Sequence, residues 1–214
     1  MYSIIKRVID FILALVGLII FSPIFLILII AIKVDSKGPV LFKQKRVGIH
    51  KTHFNILKFR TMRIDTPKDT PTHLLENPEQ YITKVGKFLR KTSLDELPQI
   101  VNILCGTMAC IGPRPALWNQ YDLIAERDKY GANDIRPGLT GWAQINGRDE
   151  LQIDVKARLD GEYVQRMSFG FDMKCFLGTI VSVLKSAGVV EGGPGTLGHK
   201  EVAATKEPIS TGNH

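Results

Sequence analysis

Cysteine is scarce in this chain, and its spacing is uninformative for metal. Cys105, Cys110 and Cys175 are an odd number among 214 residues and lack the spacing of metal ligands. This argues against a disulfide-framed secreted domain and for a reducing compartment. Histidine is equally unclustered: His50 and His53 share a stretch, while His73, His199 and His214 lie far from it, so zinc is not expected. No basic-aromatic nucleic-acid module is visible despite a formal charge of +7 and a pI near 9.3. That charge suggests an acidic partner of another kind, anionic lipid or a phosphate-bearing substrate. There is no internal repeat.

Charge itself is missing from residues 11–32. As a helix this run would be about 33 Å long, enough to cross a bilayer. It is interrupted in "LIIFSPIFLILI", where Pro23 has no N–H for the carbonyl of residue 19 and Ser22 offers a hydroxyl to a freed backbone group. Basic residues flank both ends, Lys6 and Arg7 before and Lys33, Lys37, Lys43, Lys45 and Arg46 after. A spanning helix usually leaves its Lys and Arg excess on the cytoplasmic side only. The expectation is therefore a re-entrant helix-break-helix, with halves 11–21 and 24–32 each about one leaflet deep. An ordinary kinked spanning helix is the alternative. A cleaved signal peptide is disfavoured, since no small-x-small site precedes a mature start.

The remainder suggests an α+β fold. "KGPVLFKQKRVG" and "THFNILKFRTM" read as a β-hairpin. A proline-marked polar stretch with Pro67, Pro71 and Pro78 reads as a surface loop. Helical spacing is expected over 81–91, 97–104, 119–130 and 155–167. Residues 169–185 read as an amphipathic helix able to lie on a bilayer surface. The organisation expected is a membrane segment (1–33), a catalytic domain (34–185) and a flexible tail (186–214) rich in Gly, Pro and Thr.

Chemistry concentrates in "LRKTSLDELPQIVN". Asp95 and Glu96 are adjacent at a helix start, where free N–H groups favour the ionised form. Ser93 with Glu96 matches a capping box, so plain helix capping is one account. Their company suggests another. Arg90 and Lys91 precede them, Lys58 and Arg60 end the second hairpin strand, Arg114 sits in "GPRP", and Arg136 and Arg148 bracket a Gly-rich loop. Guanidinium groups on stiff loops suit phosphate oxygens. Carboxylates beside such a site point to divalent metal binding or to attack on phosphorus.

Taken in order, "FKQKRVG", "KFRTM", "SLDELPQIVN", "IGPRP" and "RPGLTGWAQINGR", after a membrane segment with Ser-Pro at its centre, closely resemble the bacterial sugar transferases known as small monotopic phosphoglycosyl transferases. The likeness covers about residues 1–185. It implies transfer of a sugar 1-phosphate from a UDP-sugar to polyprenyl (undecaprenyl) phosphate at the cytoplasmic face of the bacterial inner membrane, with release of UMP. It also implies a re-entrant helix broken at Ser22-Pro23, a requirement for Mg²⁺, and Asp95 and Glu96 as the catalytic, metal-dependent dyad. Asp95 would be the nucleophile that carries the phosphosugar, and Glu96 would help hold the metal or tune Asp95. Lys58, Arg60, Arg90 and Arg114 match family positions, and Arg136 and Arg148 join them as candidate phosphate or nucleotide ligands. No oligomeric state is implied. Two rivals remain: a glycosyltransferase that releases UDP, and a non-catalytic membrane scaffold of a glycan-assembly complex.

Overall fold

An apolar run that must satisfy its backbone without water has helix as its simplest solution. In the computed structural model, which describes residues 2–66, 78–147 and 151–186, the run lies in one helix, α1 (Tyr2–Asp35), with Pro23 inside it. The expected division into two helices at Ser22-Pro23 is not seen. The physical reason is local: Pro23 deprives only the Ile19 carbonyl of its donor, and Ser22 Oγ donates to that same oxygen at 2.8 Å. The hydroxyl patches the gap that proline opens.

Two apolar clusters hold α1 against the rest of the chain. Ala14 is buried with Ile56, Ile100, Ile103 and Met108, and Leu18 packs on them. Further along, Leu28 and Ile32 are buried with Phe59 and Leu89, and Phe25 packs there with its ring 5.4 Å from that of Phe59. Between the clusters Ile19, Ile20, Phe21 and Ile24 are exposed. The helix is long and apolar enough to cross a membrane, and little of its most apolar stretch is buried in the protein. So much exposed apolar surface supports membrane association.

Polar contacts fasten both ends of α1. At its start Arg7 donates to the carbonyls of Ile103 (2.6 Å) and Leu104 (2.8 Å). Lys6 Nζ lies 2.7 Å from Asp172 Oδ2 and 3.6 Å from Asp10 Oδ1. Asp172 also accepts the hydroxyls of Tyr2 and Tyr163, each at 2.7 Å. At the other end Asp35 accepts the Val85 N–H at 3.0 Å.

The hairpin forms as expected: β1 (Leu41–Val47) and β2 (His53–Phe59) are antiparallel, in register from Leu41↔Phe59 to Val47↔His53. The helices follow the expected spans with shifted ends: α2 (Lys84–Thr92), α3 (Gln99–Leu104), α4 (Tyr121–Asp128), α6 (Ile153–Arg166) and α7 (Phe169–Ser186). α7 exposes Phe169, Met173, Phe176, Leu177 and Ile180 and buries Phe171, Asp172 and Cys175. Not expected were β3 (Ala109–Ile111), β4 (Gly138–Thr140), which pair in parallel, and the short α5 (Trp142–Ile145). None is long enough to show a period in sequence. The centre of the polar loop, Arg148 and the tail after residue 186 lie outside the described residues.

Candidate active site

Ser93 sets the entry to the dyad, but not as the capping box suggested. It adopts φ +56° at the end of α2, its N–H donates to the Arg90 carbonyl, and its side chain makes no cap. The chain then makes one 3₁₀ turn, Leu94–Glu96, and continues through Leu97 and Pro98 in right-handed helical conformation into α3. Pro98 thus stands where a missing N–H costs nothing, just before the first residue of α3. Asp95 and Glu96 come at the head of this helical stretch.

Their environments differ. Glu96 Oε1 accepts from Lys58 Nζ at 2.8 Å and from Arg114 Nη2 at 2.7 Å. Asp95 Oδ2 is 3.9 Å from Lys58, outside hydrogen-bond range. Burial acts to raise the Glu96 carboxyl, yet the Arg114 and Lys58 charges together outweigh it and hold the group well below the usual carboxylate range. Burial likewise raises Asp95; there Lys58 opposes the shift, Glu96 adds to it and Arg90 opposes it, and the net direction is upward. Glu96 is therefore held as an anion, and Asp95 is the harder of the two to ionise.

Each basic partner is positioned by a recognisable local cause. Lys58 alternates along β2 with Phe59, which is buried in the core, so the lysine is directed to the opposite face. Asn102, missed in the sequence reading, clamps β2 to α3: its Oδ1 accepts the Leu57 N–H and its Nδ2 donates to the Asn55 carbonyl, both at 2.9 Å. Nothing in "LPQIVN", where Gln99 is equally polar, singled it out. Arg90 Nε donates to Thr61 Oγ1 at 3.0 Å.

Arg114 is delivered by a loop stitched to two other motifs. Gly112 N–H donates to Thr140 at 2.8 Å and Gly138 N–H to Pro113 at 2.9 Å, while Val47 N–H reaches Ala116 at 3.0 Å and Arg46 Nη1 reaches Pro115 at 3.0 Å. The glycines allow this approach: a Cβ on Gly138 would fall 2.1 Å from Gly112 N. Gly138→Ala should therefore lower unfolding free energy by about 3 kcal/mol, measured by denaturant titration. An unchanged midpoint would show that the contact is not tight.

The family described as bacterial sugar transferase matches residues 1–186. This chain belongs to the bacterial sugar transferase family. Among its relatives is the uncharacterized sugar transferase EpsL of Bacillus subtilis, 40% identical over 186 residues, which cover 87% of this chain and 90% of the relative. The UDP-glucose:undecaprenyl-phosphate glucose-1-phosphate transferase of Escherichia coli is 39% identical over 183 residues, 82% of this chain but 39% of the relative. The exopolysaccharide production protein ExoY of Rhizobium meliloti is 35% identical over 197 residues, 86% of this chain and 87% of the relative. This sugar transferase thus spans nearly the whole of some relatives and about two fifths of the Escherichia coli one.

Not every expected ligand of the sugar transferase meets the dyad. Lys58 and Arg114 do, and the charge of Arg90 acts on Asp95. Arg60 does not: it is buried, and its Nε, Nη1 and Nη2 donate to the carbonyls of Pro39, Lys37 and Ser36 at 2.7, 2.8 and 2.8 Å. It secures the chain leaving α1. Arg136 is also elsewhere, donating to the Gly106 carbonyl at 3.0 Å. Among the described residues no group of three or more His, Cys, Asp or Glu could hold a metal alone. Two adjacent carboxylates nevertheless fit Mg²⁺, which is commonly held by one or two carboxylates together with substrate phosphates.

Proposed function

We propose that this sugar transferase moves a sugar 1-phosphate from a UDP-sugar to polyprenyl phosphate at the cytoplasmic face of the bacterial inner membrane and releases UMP. The names of relatives that use UDP-glucose and undecaprenyl phosphate support the substrate classes. The observation that carries the mechanism is the asymmetry of the dyad: Glu96 accepts hydrogen bonds from Lys58 and Arg114, while Asp95 stands 3.9 Å from Lys58 and burial raises its carboxyl.

In this reading a carboxylate oxygen of Asp95 attacks the β-phosphorus, the bond to the UMP oxygen breaks, and the sugar phosphate remains covalently on Asp95. An oxygen of polyprenyl phosphate then attacks the same phosphorus and expels the Asp95 carboxylate, giving the polyprenyl diphosphate sugar. Lys58 and Arg114 hold Glu96 ionised and rigid, and Arg90 and Arg114 present positive charge to the transferring phosphoryl oxygens. Mg²⁺ held by Asp95 and Glu96 with the diphosphate would supply further neutralisation of that charge. Double displacement lets one polar pocket meet a water-soluble donor and a lipid acceptor in turn.

The fastening of both ends of α1 to elements that follow it, its start to α3 and α7 and its end to α2, supports the monotopic reading, because a spanning helix would carry one end away from them. α7 would lie at the interface with its exposed apolar residues in lipid, and Lys33 and Lys37 would meet anionic headgroups at about 1 kcal/mol each. In a Cys105→Ser background, Ser3→Cys and Ser36→Cys should both be labelled by an impermeant reagent from the cytoplasmic side. Labelling of the two from opposite sides would sink the monotopic reading.

Purified protein with Mg²⁺, polyprenyl phosphate and a panel of UDP-sugars should release UMP with one donor. UDP instead of UMP would establish direct glycosyl transfer. The reaction should also carry a diagnostic pH dependence. Asp95 must be ionised to attack, and its pKa lies above the ordinary 3.8, so activity should fall in acid at a higher pH than an ordinary aspartate would give. Glu96→Gln removes a negative charge that raises Asp95 and frees Lys58 to approach it. The acid limb of kcat/KM should then move down by about one pH unit, alongside a lower kcat; an upward shift would contradict the assignment.

A further inference from the structure

Arg7, near the start of α1, and Arg136, just before β4, converge on one turn. Gly106, at φ +81°, accepts from Arg136 Nε at 3.0 Å, and a Cβ built on Gly106 would lie 3.1 Å from Arg7 Nη2. Among the described residues, the hydrogen bonds and ion pairs of both guanidiniums go to carbonyl oxygens, which leave the charge uncompensated. The nearby carboxylates are engaged elsewhere: Asp10 accepts the Cys110 N–H and faces Lys6, Asp134 meets His50 at 3.1 Å, and Asp172 takes Lys6. Both arginines line a cavity of about 230 Å³, together with Lys6, Asp10, Asp134 and Tyr163, so its charged lining is three cations and two carboxylates. Two like charges held side by side at a cavity are relieved by an anion.

This cavity is not the donor site. The dyad heads the helical stretch, whereas Arg7 holds its far end, about 10 Å along at 1.5 Å per residue. The volume is below the usual range of pockets for larger ligands. Lipid is the favoured source of the anion because Ile4, Ile5 and Val8, exposed on the same turns of α1 as Lys6 and Arg7, would face the membrane.

We propose that the cavity binds the phosphate of an anionic lipid headgroup through Arg7 and Arg136, seating the start of α1 in its leaflet. The inference depends on membrane association, not on the transfer chemistry, and its readout does not involve UMP. Native mass spectrometry of the full chain released from phosphatidylglycerol-containing nanodiscs should show a retained phosphatidylglycerol. Arg136→Gln, which gives up a single backbone contact, should reduce that retention about five- to tenfold, and Arg7→Gln should do likewise. Arg136→Lys should recover much of it. A thermal melt of each variant identifies any that fail to fold, and Arg136→Gln then decides. Retention equal to wild type in Arg136→Gln overturns the proposal. Inorganic phosphate that binds the detergent-solubilised chain at this site and fully displaces the lipid would assign the cavity to free phosphate instead, which also overturns it.

Discussion

Asp95→Asn is expected to lower UMP release at least about 10³-fold while leaving the fold intact. The substitution keeps the shape of the side chain and removes the attacking oxygen's charge. Folding has little to lose, because burial already disfavours the ionised form of Asp95 and its nearest lysine nitrogen is 3.9 Å away. Asparagine also serves well at a helix start. The variant therefore separates chemistry from capping. If Asp95 only caps a helix in a membrane scaffold, Asn should preserve function; if it carries the phosphosugar, activity should vanish with an unchanged melting temperature. Steady-state UMP release beside a thermal melt measures both.

Asp172→Leu should produce the largest loss of stability, about 3–5 kcal/mol. The change removes the acceptor of Lys6, Tyr2 and Tyr163 together and strands the Lys6 ammonium, 8% exposed, with Asp10 at 3.6 Å as its remaining carboxylate. At about 2–4 °C per kcal/mol for a chain of this size, the melting temperature in detergent should fall by roughly 10 °C. Adding Lys6→Met should restore part of the loss, since the stranded charge is then gone. A single variant that melts with wild type would show that the network contributes nothing to holding α1 on α7.

The legible parts of the sequence were those with length or company. The hairpin announced itself through β-branched and aromatic residues on either side of Gly48, and five helices through their spacing. The dyad stood out because adjacent acids lay among Arg90, Lys58 and Arg114. Short elements were invisible: β3, β4 and α5 exist because backbones meet at Gly112 and Gly138, a tertiary fact that no local period reports. That Arg60 and Arg136 lie away from the dyad was illegible for a related reason: an arginine spent on backbone carbonyls, as Arg60 is, looks like any other until the loop geometry is known. Ser22-Pro23 was read as a full interruption, and the hydroxyl's bond to Ile19 shows how one side chain keeps the helix continuous there. Ser93 matched a capping box in letters, but its left-handed backbone turned the side chain to no such use.

The most direct test of the account is a single turnover without acceptor. The protein, Mg²⁺ and its UDP-sugar, incubated with no polyprenyl phosphate, should release about one UMP per chain and gain the mass of a sugar phosphate on the peptide containing Asp95. Polyprenyl phosphate should then discharge the adduct. UMP that forms only when the lipid is present, with no mass on Asp95, would contradict a covalent intermediate and require both substrates to meet in one site.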